Sequence, residues 1–268
     1  MDRESLRAAG PAASLSVGRQ GHVATITFGR PPNNHIDREL VTGLAEALEA
    51  LDADAGVRAV VLAGAGRHFC AGADFSSGDS GGLDSPAETP GDTLYRQAAR
   101  LVRCRKPVVA AIQGAAIGAG LGLALVADFR IGCPEARLSA NFTRLGFHPG
   151  FALSATLPRL IGPQRAALLF YTGRRIGGEE ALRIGLLDEL VAHDAVLASA
   201  QALAEEIGRS QPQAVQSVRA TLRRGLPDLF DQAIEREFEQ QVWQRRMEDF
   251  AEGRRAMAER RLPDFQGR

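Results

Sequence analysis

The sequence predicts an α/β fold of repeated strand-strand-helix units, followed by a helical region at the C-terminal end. Residues 22–28, HVATITF, alternate with the two-residue period of a strand. Residues 57–64, VRAVVLAG, and 106–112, KPVVAAI, are continuous apolar runs of the kind found in strands buried on both faces. From about Gly162 onward the spacing of apolar residues becomes mainly helical.

The first unit carries turn and capping signals at both ends of its strand. Gly21 precedes the strand and predicts a hairpin with the segment SLSVGR before it. After the turn signal RPPNN, Asp37 is placed to cap a helix. One apolar stripe would face the core from this helix, formed by Leu40, Leu44, Leu48 and Leu51.

The middle of the chain continues the same alternation. Residues 76–92, SSGDSGGLDSPAETPGD, have the composition of a mobile loop beside a site. Helical spacing resumes from about 93 to 104, and residues 128–133, DFRIGC, predict another strand. We expect the chain to divide into a core over residues 1–195 and a helical region over 196–268.

Composition excludes several classes of function. The chain has 32 basic and 32 acidic residues, so no global field favours a nucleic acid or an anionic membrane. Its three cysteines, Cys70, Cys104 and Cys133, lack C-x-x-C spacing, which argues against a disulfide framework and a zinc site. Histidine and acidic residues form no closely spaced metal-ligand cluster. We expect a cytoplasmic protein whose partners are small molecules or further copies of itself.

The segment 114–128, GAAIGAGLGLALVAD, admits three interpretations. The 21 uncharged residues from Pro107 to Ala127 reach the length of a membrane span, but the glycines and Gln113 lower their hydrophobicity. The spacing G-x-G-x-G does not match the dinucleotide motif G-x-G-x-x-G. The third interpretation is a strand that ends in a glycine turn, with a helix starting near residue 119 and exposing backbone N–H groups. The glycines could also serve only tight helix packing.

A second segment of the same kind favours the third interpretation. Residues 66–74, GRHFCAGAD, follow a predicted strand, and Ala71-Gly72-Ala73 again present backbone without bulky side chains. Two such turns could each supply one N–H group to the same oxygen, as in an oxyanion hole.

FCAGAD, followed by KPVVAAIQGAAIGAGLGLALVAD, resembles the enoyl-CoA hydratase/isomerase (crotonase) superfamily. The segments RPPNN, EEALRIGLLDELV and DFAEGRRAMAERRLPDF are similar to further parts of that family. The resemblance implies a crotonase-like spiral of strand-strand-helix units with a C-terminal helical oligomerisation region, assembled as a homotrimer or hexamer.

The same resemblance implies a chemistry and a set of site residues. The amides of Ala73 and Ala119 would polarise the thioester of an acyl-CoA so that an enolate can form. Coenzyme A is then part of the substrate, and no separate cofactor is expected. Asp74 would cap the helix that begins after it. Coenzyme A would run past Arg30, Asn33, Ala71 and Phe75.

The sequence departs from the family at its catalytic acids. Hydratases of this family use two glutamates, and the corresponding positions here are Gly122 and Phe142, neither of which can transfer a proton. Phe142 could instead wall the acyl pocket. An aspartate that other members carry a little later falls at or beside Pro149 and Gly150.

Any acid or base must then come from elsewhere. His148, in GFHPGF, is the best substitute because imidazole titrates near neutrality, although it could equally be part of a structural turn. His35 could contact coenzyme A or the acyl group. Asp79 and Glu88 could fold over the site with their loop, and we expect the remaining three histidines on the surface: His22, His68 and His193.

Three functions fit these observations. The first is an acyl-CoA enzyme of the hydratase/isomerase type with relocated proton-transfer groups. The second is a divergent hydrolase of a thioester or a carbon–carbon bond, in which His148 activates water. The third is an acyl-CoA binding protein without turnover. A serine hydrolase is disfavoured because no G-x-S-x-G elbow is present.

Overall fold

The computed structural model describes residues 14–30, 32–74 and 94–268. Its main sheet has six strands in the order β1-β2-β3-β4-β6-β9, and a smaller sheet has the order β5-β7-β8. The strands are β1 Ser14–Gln20, β2 Val23–Gly29, β3 Ala59–Gly64, β4 Val108–Ile112, β5 Ala115–Ile117, β6 Phe129–Gly132, β7 Arg137–Ser139, β8 Ile176–Gly177 and β9 Glu189–Leu190.

The predicted hairpin and buried strands are confirmed. β1 and β2 pair antiparallel around Gly21, whereas β2, β3, β4, β6 and β9 run parallel. Every residue of β4 is buried, as its uninterrupted apolar run predicts. Because β3 and β4 are parallel neighbours, their carboxyl ends meet at one edge of the sheet. The loops that leave this edge carry the two small-residue segments.

Ten helices connect and cover the sheets in the described part of the chain. They are α1 Arg38–Ala53, α2 Leu94–Leu101, α3 Ala119–Val126, α4 Leu153–Ile161, α5 Pro163–Thr172, α6 Gly178–Arg183, α7 Val196–Gly208, α8 Pro212–Leu222, α9 Leu226–Gln244 and α10 Glu248–Ala258. A 3₁₀ turn over Asn141–Leu145 follows β7.

The first helix follows its sequence signals closely. Asp37 is the N-cap of α1, and its carboxylate accepts the N–H of Leu40 at 2.9 Å. Three leucines of the predicted stripe are buried, while Leu51 is partly buried against the same core.

The C-terminal helices are bound to the rest of the chain by helix packing and by partly buried polar contacts. α7 packs on β3, β4 and β6, so the predicted boundary at residue 195 falls just before a helix that covers the main sheet. Asp128, which follows α3, accepts hydrogen bonds from Arg219 and Arg223, both at 2.8 Å.

Among the described residues, no helix is both long and apolar enough to span a membrane.

Candidate active site

A cavity of about 590 Å³ lies where the loops after β3 and β5 meet α10. Its lining includes Ala71, Gly72 and Ala73 from the first loop, and Gly118 and Ala119 from the second. The structure therefore brings the two small-residue segments to one cavity. The hydrogen bonds of each loop determine which way its peptide groups face.

The Gly72–Ala73 peptide group is held through its carbonyl oxygen, which accepts two hydrogen bonds. The Gly72 oxygen accepts from the Ile36 N–H at 2.9 Å and from His35 Nδ1 at 3.1 Å. In a trans peptide the N–H points opposite to the C=O. The Ala73 N–H is thus directed away from residues 35 and 36, and it donates to no described residue.

The Gly118–Ala119 peptide group is arranged in the same way by the start of α3. The Gly118 oxygen accepts from Leu121 N at 3.0 Å and Gly122 N at 3.1 Å, as at the first turn of a helix. Ala119 is the first residue of α3, and within the described chain its N–H has no partner. This turn depends on glycine, because Gly118 has φ +55° and ψ −121°.

The two loops are joined by backbone hydrogen bonds. Cys70 N donates to Ala115 O at 2.9 Å, and Ile117 N donates to Cys70 O at 3.0 Å. A Cβ on Gly72 would lie 2.8 Å from the Ile117 oxygen, and a Cβ on Gly120 would meet Cys70. Glycine at both positions therefore allows a close approach that fixes one loop against the other.

Apolar side chains surround the two positions that align with the glutamates of hydratases, Gly122 and Phe142. A Cβ on Gly122 would lie 2.7 Å from Cβ of Phe151, whose side chain is fully buried. Phe142 lines the cavity, and its ring meets that of Phe147 edge-on at 5.3 Å. Phe142 and Phe147 therefore give the cavity an aromatic wall, and neither Gly122 nor Phe142 offers a carboxylate.

His148 lies in a separate groove and does not line the cavity. That groove, of about 320 Å³, is formed with Tyr171 and Gln244 among others. The His148 N–H donates to Gln244 Oε1 at 2.6 Å, and its carbonyl accepts from Gln241 Nε2 at 2.9 Å. These two bonds to α9 hold the residue toward the helical region. The sequence indicated the correct loop for His148 but could not show which side its ring occupies.

The predicted coenzyme A contacts divide into three groups. Asn33 and Ala71 line the cavity. Arg30 is not among the lining residues, and its guanidinium pairs with Asp37 and, at 3.7 Å, with Glu39. Outside the described residues lie Phe75, Asp79, Glu88 and the start of the helix that Asp74 was expected to cap.

Two histidines contribute to the lining. His35 lies there as a half-buried side chain. His68 was expected at the surface, but it is half-buried in the lining and its Nδ1 accepts the Ala115 N–H at 3.3 Å. Burial and the neighbouring Arg67 lower the pKa of His68, so its neutral form is favoured.

The sequence did not indicate the tyrosine or the arginines that line the cavity. Tyr95 is buried, and its hydroxyl is 3.1 Å from Gln241 Nε2. Burial raises the pKa of Tyr95 to about 12, so the hydroxyl stays protonated near neutral pH. No sequence motif identifies these residues. The arginines lie in segments that are far apart in the sequence, and the chain contains many other arginines. The arginines of the lining are Arg137, Arg175, Arg254 and Arg260.

The chain matches the enoyl-CoA hydratase/isomerase family over residues 18–268. It is 42% identical over 212 residues to a probable enoyl-CoA hydratase of Mycobacterium tuberculosis, covering 78% of this chain and 80% of the relative. Among solved structures, an enoyl-CoA hydratase/isomerase from Pseudoalteromonas atlantica matches with a TM-score of 0.84 at 30% identity, over 94% of this chain and 99% of the other.

A carnitinyl-CoA hydratase from Mycobacterium avium matches with a TM-score of 0.83 at 32% identity, over 97% of this chain and 100% of the other. The sequence and structural similarities therefore extend well beyond the two glycine-containing loops. They confirm the predicted crotonase-like fold and its C-terminal helical region. The chain belongs to the enoyl-CoA hydratase/isomerase family of acyl-CoA enzymes.

Proposed function

We propose that this enzyme binds the thioester oxygen of an acyl-CoA between the N–H groups of Ala73 and Ala119 and stabilises the enolate formed there. The observation that carries the proposal is that both peptide carbonyls accept hydrogen bonds, while neither N–H group donates to a described residue and both alanines line one cavity. Fixed donors of this kind need no reorganisation as charge develops on the oxygen. Removing one such donor typically costs about 3–4 kcal/mol of transition-state stabilisation.

The charge of the cavity lining supports coenzyme A as the carrier of the acyl group. Arg137, Arg175, Arg254 and Arg260 all contribute to this lining. Guanidinium groups bind phosphate oxygens well, often through two parallel hydrogen bonds. The phosphates of coenzyme A would lie along these arginines, and Asn33 and Ala71 would contact its thiol arm. Coenzyme A is then part of the substrate, and the proposed reaction uses no separate cofactor.

The proton-transfer groups of the proposed reaction differ from a pair of glutamates. Gly122 and Phe142 carry no ionisable group, and His148 lies in another groove. Among described residues, the lining offers His68, Asp74 and the Tyr95 hydroxyl as candidate proton-transfer groups. We therefore favour enolate chemistry in the hydratase/isomerase class over hydrolysis through His148.

We also propose a homotrimer or hexamer in the cytoplasm. Large apolar side chains are exposed on α5, α8 and α9, including Tyr171, Val218, Leu222 and Trp243. A second copy of the chain could cover these residues, because association removes exposed apolar side chains from water. The free thiols of the three cysteines fit a reducing compartment.

The proposed function is tested by incubating the purified protein with crotonyl-CoA and with a longer 2-enoyl-CoA. Absorbance of the conjugated thioester and release of free thiol are followed together. We expect the absorbance of the conjugated thioester to fall without release of free thiol, which indicates enoyl-CoA turnover. Thiol release would instead indicate hydrolysis, and binding without either change would indicate an acyl-CoA binding protein.

A His148→Ala variant tests, in the same assay, the sequence hypothesis that His148 is the general acid or base. Its position in a separate groove predicts unchanged turnover. A loss of about 10²-fold or more would restore His148 as the general acid or base.

A further inference from the structure

His35 contacts the peptide group that carries one of the two proposed donors. Its Nδ1 lies 3.1 Å from the Gly72 oxygen, and its Nε2 lies 3.3 Å from Asn33 Nδ2. The backbone oxygen of Asn33 accepts the Ala71 N–H at 3.1 Å. Residues 33–36 therefore hold the Ala71–Gly72 segment through both backbone and side chain.

These contacts select one form of the imidazole ring. The Gly72 oxygen can only accept, so Nδ1 must carry the proton in that hydrogen bond. In the neutral ring Nε2 is then an acceptor, and the amide nitrogen of Asn33 is a donor. Both contacts are satisfied by neutral His35 with its proton on Nδ1.

The Gly72–Ala73 peptide group needs hydrogen bonds from other residues to fix its orientation. The φ of Gly72, +88°, is open to glycine, which has more backbone freedom than other residues. One hydrogen bond, from Ile36 N, would still allow the carbonyl to swing about that bond. The second bond, from His35, restricts the peptide plane. It also polarises the peptide, because a bond accepted at C=O strengthens donation by the N–H of the same group.

We propose that His35 is a positioning residue that fixes the direction and the donor strength of the Ala73 N–H through the Gly72 carbonyl. This inference rests on the proposed function, since it assigns a purpose to the Ala73 amide. It differs from direct contact with coenzyme A or the acyl group, because His35 acts through Nδ1 on the protein backbone.

Three substitutions distinguish the two nitrogens of the ring. Asparagine places an amide nitrogen at about the reach of Nδ1, whereas glutamine places one at about the reach of Nε2. We expect His35→Asn to keep kcat for a 2-enoyl-CoA within about twofold. His35→Ala and His35→Gln should lower kcat about tenfold, the effect of losing one hydrogen bond. Affinity for free coenzyme A, which has no acyl oxygen, should change less than about twofold in all three.

A second readout is independent of turnover. The sequence has four Gly-Ala steps, at 64–65, 72–73, 114–115 and 118–119. Protein containing glycine labelled with carbon-13 at its carbonyl and alanine labelled with nitrogen-15 therefore gives four selected amide resonances. Without ligand, the Ala73 resonance should move in His35→Ala and His35→Gln but stay close to the wild-type position in His35→Asn. Ala65, whose N–H donates to Phe28 O at 2.7 Å, is the internal control.

The proposal is overturned if Ala73 does not respond to His35→Ala. It is also overturned if His35→Gln retains turnover while His35→Asn loses it, because the ring would then act through Nε2. A wild-type protein that neither binds nor converts acyl-CoA would contradict the proposed function instead. The Ala73 resonance would still show whether His35 controls this peptide group.

Discussion

Gly118 holds a backbone conformation that residues with a Cβ rarely adopt, and this conformation aims the Ala119 amide. Its φ is +55° and its ψ is −121°. A Cβ at this position would meet Asn141 at 3.4 Å and Phe142 at 3.7 Å, which are ordinary contacts. The cost of a side chain here is thus mainly conformational, rather than steric, and it falls on the turn that begins α3.

Replacing Gly118 with alanine should lower the free energy of unfolding by about 1–3 kcal/mol, the typical cost of a strained backbone. Turnover should fall as well, since relaxing the strain turns the Ala119 N–H. Urea unfolding and enoyl-CoA kinetics measure the two effects. Gly43→Ala is the matched control, because Gly43 lies within α1 with open space around its Cβ position. That control should raise the free energy of unfolding by about 0.5–1 kcal/mol. Equal stabilities for the two variants would show that Gly118 carries no strain.

For individual residues, the sequence could predict where small residues expose the backbone, but not which way larger side chains point. Glycine and alanine at 71–73 and 118–120 indicate backbone that a ligand can approach, whatever surrounds it. The direction of His148 depends on Gln241 and Gln244, which lie more than ninety positions away in the chain. The contact between His35 and Gly72 spans 37 positions, so no local pattern indicates it either.

Between elements, α9 supplies a buried carboxylate to the start of α4. Glu237 has no exposed surface, and its oxygens accept the N–H groups of Ala152 at 2.7 Å and Ser154 at 2.9 Å. Carboxylates cap helix N-termini favourably because these N–H groups lack intrahelical partners. Burial nevertheless outweighs these hydrogen bonds and raises the pKa of Glu237 from 4.5 to about 7.

The raised pKa predicts a pH dependence of stability. Between about pH 4.5 and 7 the folded protein keeps a proton on Glu237 that the unfolded chain has lost. The contribution of this group to the free energy of unfolding therefore decreases as pH rises through that window, by up to about 3 kcal/mol. Below the window both states are protonated, and above it both are ionised.

Chemical unfolding of Glu237→Gln and wild type at several pH values measures this contribution. The difference in unfolding free energy between the two proteins should shift in favour of the variant as pH rises from about 5 to 8. Glu239→Gln is the control, since Glu239 lies on the same helix with 67% of its side chain exposed. A difference between Glu237→Gln and wild type that is constant across this range would contradict the assignment.

The elements differ in how far their sequences define them. The cap and stripe of α1 and the apolar runs of β3 and β4 are local signals, and the structure confirms them. β5, β7 and β8 have only two or three residues each, too few for a period to show. Their pairing depends on the fold that brings them together, so the second sheet could not be predicted from these segments alone.

For the molecule as a whole, one cavity joins parts of the chain that are far apart in sequence. Loops after β3 and β5 supply the Ala73 and Ala119 amides, which donate to no described residue, and α10 lines the same space with Arg254 and Met257. The fold class follows from the parallel strands. The loop after β3 meets the segment after β4, which contains β5, because β3 and β4 are parallel neighbours whose carboxyl ends lie at one sheet edge. The arginines could not be predicted, because only the complete fold selects them among 31 arginines.

The proposed function requires the Ala73 and Ala119 amides to bind one thioester oxygen. Protein with the selective Gly-Ala labelling should be titrated with butyryl-CoA and, separately, with the S-butyl thioether of coenzyme A, which lacks the carbonyl oxygen. We predict that the Ala73 and Ala119 amide protons both move downfield with the thioester but not with the thioether, while Ala65 stays in place with either. If the thioester binds and either amide responds no more to it than to the thioether, the two groups do not share that oxygen.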